Sequence, residues 1–393
     1  MSKPRHRSSH RPETSDTGSQ PGDTTRRVTT VLVILLVLSL VVHIATAPPR
    51  EPPTDKPPAA TPAAPPGVTP SQAKRDPALP PTLTRVAMPS AEPTNPLDPA
   101  RAKRYLEEVC ALGNRMSGSP GMRAQQELLI SHFEPHADQV ERQTFKVRNP
   151  LGGPAVEMAN LIVRWRPEAT DRVLLCAHYD TRPLPDRDPN PMARRNGRFI
   201  GANDGGSGVA VLMELAHQLA EYEGPLGVDV VLFDGEELVY VDDRDPYFLG
   251  SRYFAQDYAK RKPQRGSGAW SYRAGILLDM VGDADLQIYQ ERFSYRNLTT
   301  RPLVMQVWAT AQRLGVAEFY PRVRHEVRDD HLALQRFGGI PAIDLIDFDY
   351  PAWHTEADVP MNCSGDSLAK VGWVVWEWLL EQREASQPNR RSP

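Results

Sequence analysis

Two adjacent glutamates close a short apolar segment in the middle of the chain. Glu236 and Glu237 follow Asp234 and Gly235, and these follow the apolar run 228–233, which is typical of a buried parallel strand. Neighbouring carboxylates at the end of such a strand are costly to remove from water unless something binds them. The pair therefore indicates a binding site rather than an ordinary loop.

Three further residues with metal-ligating side chains lie just beyond apolar runs. They are Asp204, His178 and His354. Together with the glutamate pair they form a nitrogen and oxygen ligand set that suits zinc. Each residue alone is weak evidence, because an Asp before a helix, such as Asp204, is usually a helix N-cap. Their recurrence at predicted strand ends in one domain indicates a shared metal site.

The predicted site also has the parts that metal-assisted chemistry needs. A catalytic zinc takes about three protein ligands from His, Asp and Glu and keeps one position open for water or a substrate carbonyl. A neighbouring carboxylate that does not bind the metal can then carry protons. Adjacent glutamates can divide these two roles between them.

The elements that position these residues alternate between strands and helices. The predicted strands are 172–177, 228–233, 274–278 and 341–346, and the predicted helices are 206–222, 301–314 and 367–380. This alternation predicts an α/β fold: a single globular domain with a central, mostly parallel mixed sheet flanked by helices. In such a sheet ligands bind beyond the carboxyl ends of the strands, where the candidate residues lie.

Length and composition fit a globular enzyme with an N-terminal extension. The chain has 393 residues, of which 40% are hydrophobic and 24% are charged. The net charge of -3 favours no nucleic-acid partner. Three cysteines, Cys110, Cys176 and Cys363, do not form a disulfide framework, and either one disulfide or three free thiols is compatible with them.

The first hundred residues predict a membrane anchor and a spacer. Residues 28–47 contain no Asp, Glu, Lys or Arg and are long enough to cross a bilayer as one helix. Basic residues in the predicted disordered tail 1–27 place the N-terminus in the cytoplasm and the domain outside it, in a periplasmic, extracellular or luminal space. The alternative is a signal peptide cleaved after Ala45-Thr46-Ala47. Segment 48–97 contains 16 of the 39 prolines and is predicted to be an extended linker.

Folded sequence is expected to begin at Asp98, a good helix N-cap followed by Pro99, and to extend to about 385. Residues 386–393 are expected to form a disordered tail. We expect the chain to be a monomer.

Several motifs of this domain resemble a known family. They are Asn114-Arg115-Met116-Ser117-Gly118-Ser119-Pro120-Gly121, His178-Tyr179-Asp180, Asp234-Gly235-Glu236-Glu237, Gly250-Ser251-Arg252, Asp329-Asp330-His331 and Trp353-His354-Thr355. In order and spacing they are similar to peptidase family M28, which has a zinc aminopeptidase-like fold, and especially to its glutaminyl-peptide cyclotransferase (glutaminyl cyclase) branch. The resemblance covers roughly residues 100–383.

The resemblance implies a role for each candidate residue. Asp204, Glu237 and His354 would bind one zinc ion, and Glu236 would be the proton shuttle. Asp279 and Asp329 would form the polar network around the substrate amine and the leaving ammonia. Trp353 and His331 would contact the substrate. The implied reaction converts an N-terminal Gln of a peptide or protein to pyroglutamate and releases ammonia.

Two other functions stay open at the level of sequence. The loop 201–208 resembles that of the M28 peptidases, and His178 and Asp279 could hold a second zinc ion with a bridging Asp204. The chain would then be a two-zinc aminopeptidase in which Glu236 activates water. The remaining alternative is a non-catalytic binding domain displayed on a membrane stalk.

Overall fold

The computed structural model describes residues 94–242, 244–261 and 269–386. The predicted tail, membrane segment and most of the linker lie outside these residues and stay predictions, as do residues 387–393 of the predicted C-terminal tail. Ser386, predicted to begin that tail, is instead the last residue of a helix. Among the described residues no helix is both long and apolar enough to span a bilayer.

The described chain is built around a six-stranded mixed sheet. Its strands are β1 (Gln139–Val147), β2 (Val156–Trp165), β3 (Asp171–His178), β4 (Gly227–Phe233), β5 (Ser271–Asp279) and β8 (Ala342–Ile346). Their spatial order is β1-β2-β4-β3-β5-β8, in which β3, β4, β5 and β8 are parallel and β1 and β2 pair antiparallel at one edge. Two short strands, β6 (Ile288–Gln290) and β7 (Phe319–Val323), pair separately. The predicted mostly parallel, mixed sheet is therefore confirmed.

Helices cover the sheet on both faces. They are α1 (Pro99–Ala111), α2 (Pro120–Phe133), α3 (Pro191–Asn196), α4 (Gly208–Ala220), α5 (Leu249–Arg261), α6 (Arg292–Arg296), α7 (Arg301–Leu314), α8 (Asp330–Ala333) and α9 (Gly365–Ser386). The first begins as predicted, because the Asp98 carboxylate accepts hydrogen bonds from the N–H groups of Ala100 and Arg101, and Pro99 is its first residue.

Strand β3 explains why the central strands are continuous apolar runs. Its side chains alternate between two cores: Val173 and Leu175 pack towards α1, α4 and α9, whereas Leu174 and Cys176 pack towards α5. A strand buried on both faces needs apolar residues at every position. The three cysteines are free thiols, and all are buried.

The carboxyl ends of the parallel strands meet at one edge of the sheet. His178 is the last residue of β3 and Asp279 is the last residue of β5. The glutamate pair follows β4, and Asp204 lies in a tight turn at 203–207 that leads directly into α4. The fold thus brings most of the candidate residues to one place.

Candidate active site and metal centre

A cavity of about 390 Å³ opens at this edge of the sheet. Seven of the predicted site residues line it: Asp204, Glu236, Glu237, Asp279, Asp329, Trp353 and His354. His178 is buried just behind the wall, and His331 lies elsewhere. Residues from distant parts of the chain therefore converge as the sequence predicted, with one exception described below.

Asp204, Glu237 and His354 form a three-ligand cluster. Their ligand atoms all lie within 4.8 Å of one another. Nε2 of His354 is 3.5 Å from Oδ2 of Asp204 and 3.3 Å from Oε1 of Glu237. One nitrogen and two carboxylate oxygens that face a common point are a ligand set for zinc with an open fourth position.

The cluster fits a cation because two of its buried carboxylate oxygens have no hydrogen-bond partner among the described residues. Oδ2 of Asp204 and Oε2 of Glu237 are buried and accept no hydrogen bond from any described residue. Burial and the negative charge of Glu237 raise the pKa of Asp204 to about 6. A buried carboxylate oxygen without a partner is unfavourable, and a divalent cation between these two oxygens would remove that cost.

His354 and Glu237 are held from behind by a buried arginine and a carboxylate. Nδ1 of His354 lies 3.0 Å from Oδ1 of Asp186. Arg182 donates hydrogen bonds to Asp186 through Nε and Nη2, and to Oε1 of Glu237 through Nη1 at 3.0 Å. Although burial alone lowers the pKa of His354, the neighbouring carboxylates of Glu237, Asp186 and Asp204 raise it to about 9. Such outer contacts fix the ring orientation of a ligating histidine.

Asp204 is held by its own backbone. The carboxylate of Asp358 accepts hydrogen bonds from the N–H groups of Asn203 at 2.7 Å and Asp204 at 3.1 Å. The next residue, Gly205, has a φ of +83°, which L-residues with a side chain rarely adopt. Asp204 is therefore aimed into the cavity by a turn that depends on Asp358 and on a glycine.

The two glutamates are positioned by Asp180 and have different surroundings. The Asp180 carboxylate accepts hydrogen bonds from the N–H groups of Glu236 at 3.1 Å and Glu237 at 3.0 Å. Glu237 belongs to the ligand cluster, whereas Glu236 lines the cavity outside it. Burial, and then the charge of Glu237, raise the pKa of Glu236 well above its usual value. Glu236 can therefore hold a proton beside the metal site.

Asp234, the first residue of the motif, is turned away from the cavity. It is fully buried, and its carboxylate accepts hydrogen bonds from the Ser117 hydroxyl at 2.6 Å and the Ala159 N–H at 3.0 Å. Its role is to fix the strand end from which Glu236 and Glu237 project.

A second possible ligand cluster adjoins the first. His178, Asp204 and Asp279 also offer ligand atoms within 4.8 Å of one another. Nε2 of His178 lies 3.1 Å from Oδ1 of Asp279 and 3.2 Å from Oδ1 of Asp204. These are hydrogen-bond distances, so a protonated His178 can occupy this place between the two carboxylates instead of a metal.

Asp329 lies at the cavity, but His331 does not. Asp329 caps the N-terminus of α8, and burial together with the charges of Asp279 and Asp330 raises its pKa well above the usual value. His331 has no exposed side-chain surface, and its ring nitrogens lie 3.5 Å from Glu291 and 3.8 Å from Asp344. The predicted contact between His331 and substrate therefore has no support in this geometry, because α8 turns the side chain into the interior.

Trp353 forms a wall of the cavity, as the resemblance implies. Its ring packs against Phe348 at 4.8 Å and the ligand His354 at 4.4 Å between centroids. The guanidinium of Arg187 lies 4.0 Å from its ring centroid. The indole is therefore fixed by its neighbours and forms part of the cavity wall next to the candidate ligand cluster.

The backbone around the cavity is strained. Four described non-glycine residues have a positive φ, and three of them line the cavity: Phe248, Met280 and His354. Each costs of order 1 kcal/mol and persists only where the surrounding structure imposes it. Strained residues concentrate at functional sites, so their position here favours a functional role for the cavity.

Sequence reasoning missed the residues that support the ligands. The three residues are Arg182, Asp186 and Asp358, and they lie in loops without periodicity. Their contacts to the candidate ligands join distant parts of the chain: Arg182 and Glu237 are 55 positions apart, and Asp186 and His354 are 168 positions apart. The sequence offered one indication for two of them, namely a short distance along the chain from a candidate ligand. Arg182 follows His178 by four positions, and Asp358 follows His354 by four positions. That signal does not distinguish a supporting residue from a solvated one.

Comparisons with known proteins agree with this geometry. The sequence model of peptidase family M28 matches residues 160–379 of this chain. The solved structure of a glutaminyl cyclase from Fimbriiglobus ruber is 40% identical, with a TM-score of 0.68, and the match covers 74% of this chain and 98% of that one. A leucine aminopeptidase precursor from Bacteroides thetaiotaomicron is 28% identical, with a TM-score of 0.66, over 72% and 97% of the two chains.

Among characterised sequences, a glutaminyl-peptide cyclotransferase from Bos taurus is 25% identical over 295 residues, which cover 68% of this chain and 78% of the relative. The family match extends over more than half of the chain and includes every candidate metal ligand. The α/β fold, the ligand cluster and these matches together show that the chain belongs to peptidase family M28.

Proposed function

We propose that this protein is a zinc-dependent glutaminyl-peptide cyclotransferase, which converts the N-terminal Gln of peptides or proteins to pyroglutamate. The observation that carries the proposal is the 40% identity to a glutaminyl cyclase over nearly the whole of that protein. The intact cluster of Asp204, Glu237 and His354 supports it. Membership of M28 and the nitrogen and oxygen ligands support zinc as the metal, and we propose one ion.

Bound zinc would supply a Lewis acid at the open end of the cluster, where a γ-carboxamide oxygen is polarised. The chain's own residues have three tasks. Trp353 offers the flat wall against which the glutamine side chain can lie. Asp279 and Asp329 accept hydrogen bonds from the substrate amine and the leaving ammonia. Glu236 moves a proton from the attacking α-amine to the departing γ-amide nitrogen.

Glu236 is placed for this transfer because it lines the cavity beside the ligand Glu237. As the α-amine attacks the γ-carbonyl, a new C–N bond closes the ring, and Glu236 takes a proton from the attacking nitrogen. The same proton then passes to the nitrogen of the γ-amide, whose C–N bond breaks to release ammonia. The carboxyl group of Glu236 ends the reaction in the protonation state in which it began. The products are therefore pyroglutamate and ammonia, and no water is consumed.

A two-zinc aminopeptidase is the second candidate, and one observation favours it. The cluster of His178, Asp204 and Asp279 shares a carboxylate with the first cluster, as in two-metal hydrolases. In that case Glu236 would activate a water molecule for hydrolysis of the first peptide bond. A non-catalytic binding domain would not need this complete set of ligands and the buried Glu236.

One experiment separates these functions. The purified protein is incubated with two peptides that differ only in an N-terminal Gln or Leu, and the products are identified by mass spectrometry. Loss of ammonia from the Gln peptide, with no residue released from either, supports the cyclase. Release of the first residue supports the aminopeptidase, and metal analysis of the same sample counts the zinc ions.

The apolar segment 28–47 supports a further proposal on location: a single membrane anchor with the enzyme outside the cytoplasm. The full chain should sediment with membranes, and added protease should degrade the domain once any outer envelope is opened while the anchoring membrane stays sealed. Protection of the domain in such sealed preparations, lost only when the anchoring membrane is lysed, would contradict this topology. The expected monomeric state also stays a prediction.

A further inference from the structure

Three histidines form a cluster outside the proposed active site. His132 lies near the end of α2, His136 follows that helix, and His217 lies near the end of α4. Each offers a ring nitrogen, and the three nitrogens lie within 4.8 Å of one another. All three residues are partly exposed, so an ion can reach them from solvent. The active-site loop precedes the other end of α4, so about 15 Å of helix separates the two sites.

The arrangement of the rings fits a metal bound by three histidines. Their centroids are 4.5, 5.4 and 6.0 Å apart. Zn–N bonds of about 2.0–2.1 Å in a tetrahedral site place imidazole centroids about 5 Å apart. The three rings are also steeply inclined to one another, by 52° to 74°. Small side-chain rotations are therefore enough to bring one nitrogen of each ring to a common ion.

Two of the rings are held through one nitrogen in the manner of metal ligands. Nε2 of His132 lies 2.9 Å from the carbonyl oxygen of Met213, which can only accept, so Nε2 carries the hydrogen and Nδ1 keeps its lone pair. Nε2 of His217 lies 2.8 Å from the Tyr105 hydroxyl. Metal-ligating histidines commonly use their second nitrogen in this way, which fixes the tautomer and the ring.

The electrostatics of the cluster also permit a cation. Burial, offset in part by the hydrogen bond to Met213, lowers the pKa of His132 to about 4, so this ring is a neutral ligand at pH 7. The nearby cation Arg101 is paired with the buried carboxylate of Glu214 at 2.6 Å. A positive ion at the histidines therefore faces a neutralised pair rather than a free guanidinium.

We propose that His132, His136 and His217 bind a divalent transition-metal ion, with zinc as the best fit, that fastens the end of α2 to the end of α4. Three imidazoles with water in the fourth position are a ligand set that suits zinc and also accepts nickel or copper. None of the three histidines is among the residues that line the active-site cavity, so the proposed role of the ion is structural. This proposal does not depend on the proposed cyclase activity.

The test uses zinc as the probe and two variants that keep an aromatic ring but lose the ligand, His136→Phe and His217→Phe. After equilibration with micromolar zinc and removal of free metal, the wild-type protein should hold one zinc more than either variant. Its Tm should rise by about 5 °C at a zinc concentration of about 100 Kd, beyond the rise seen in the variants. Proposed cyclase or peptidase activity should be unchanged in both variants.

Two controls keep the result interpretable. His325→Phe removes a histidine outside the cluster and should retain the full zinc content. Tyr105→Phe keeps all three ligands but removes the contact to His217, so it should weaken zinc binding at this site by about 10-fold or more. If a Phe variant fails to fold, His136→Asn at the partly exposed position replaces it. Equal zinc content in wild type and all ligand variants, with the same Tm response, would overturn the proposal.

Discussion

Oδ1 of Asp186 lies 3.0 Å from Nδ1 of His354, on the opposite side of the ring from the nitrogen that faces the ligand cluster. The same carboxylate accepts two hydrogen bonds from Arg182, which in turn reaches the ligand Glu237. Arg182, which is buried, and Asp186 thus connect two of the three candidate ligands on the side away from the cluster. Their contacts set the orientation of the ring before any metal binds.

Asp186→Asn should therefore weaken metal binding without removing a ligand. The loss of the carboxylate at Nδ1 lowers the basicity of His354 and frees its ring, and such changes typically cost 10- to 100-fold in metal affinity. Competition with a zinc chelator measures the effect. Asp171→Asn, which disturbs a surface ion pair with Arg273 at the far end of β3, is the control and should leave the affinity unchanged. Equal affinities of the two variants would contradict the role of Asp186.

Glu236→Gln should keep the metal and lose most of the activity. The amide has nearly the same shape, but it cannot take up and release a proton, so we expect turnover to fall by about 10²- to 10⁴-fold. Zinc content and steady-state kinetics on the same preparation provide the measurement. Glu237→Gln is the matched variant, one position away, and should lose zinc instead. Full activity of Glu236→Gln would exclude it as the proton shuttle.

Trp353→Leu should raise KM more than it lowers kcat. The side chain forms a cavity wall and is packed between Phe348, His354 and the guanidinium of Arg187, but it carries no group that transfers protons or binds metal. A loss of uniform binding raises KM with little change in kcat. Kinetics with a Gln-initiated peptide check this split. A fall in kcat alone would show that the indole acts in the transition state.

The predictable parts of the fold were the buried parallel strands and the helices with one apolar face. Strand 228–233 was predicted to within one residue of the observed Gly227–Phe233, and helix 301–314 was predicted at its observed ends. By contrast, β1 was missed because this edge strand, with the sequence QVERQTFKV, buries only two of its residues and has little apolar alternation. Its pairing with β2 depends on contacts that neither strand's own sequence specifies.

The clustering of the candidate ligands was predictable for a related reason. Asp204, Glu237 and His354 are charged or ligating residues placed just beyond apolar runs, where the cost of burial makes them conspicuous. Arg182 is equally buried, but it lies in a polar loop and gains its partners only when that loop folds over the strand ends. Arg182 is a cavity residue that the sequence did not reveal, whereas His331 was predicted to contact substrate and does not line the cavity. His331 lies two positions after the cavity residue Asp329, but its side chain is buried in the interior.

Gly205→Ala should destabilise the domain and displace Asp204. A Cβ at this position would lie 2.5 Å from the carbonyl oxygen of Asp180, and the φ of +83° is unfavourable for alanine. Gly315→Ala is the matched control, since its φ is +71° but nothing lies within 4 Å of the added Cβ. The control should lose about 1 kcal/mol of unfolding free energy and keep its zinc affinity. Gly205→Ala should lose more stability and most of its zinc, as chemical denaturation and metal analysis would show.

The pH dependence of stability should contain a contribution from His132. Burial lowers the pKa of this histidine to about 4 in the folded protein, whereas in the unfolded chain it is about 6.5. Between these values the unfolded state binds a proton that the folded state does not, so the free energy of unfolding falls as the pH is lowered from 6.5 to 4. The contribution is about 3 kcal/mol at most.

His132→Gln removes this titration. With a chelator present to exclude metal, urea unfolding at pH 7 and at pH 4 gives the stability difference between wild type and variant. The wild type should lose more stability than the variant over this interval, because the other titrating groups are common to both chains and cancel. Parallel decreases in the two proteins would show that the His132 imidazole is protonated equally in the folded and unfolded states, and would remove the basis for regarding it as a neutral ligand.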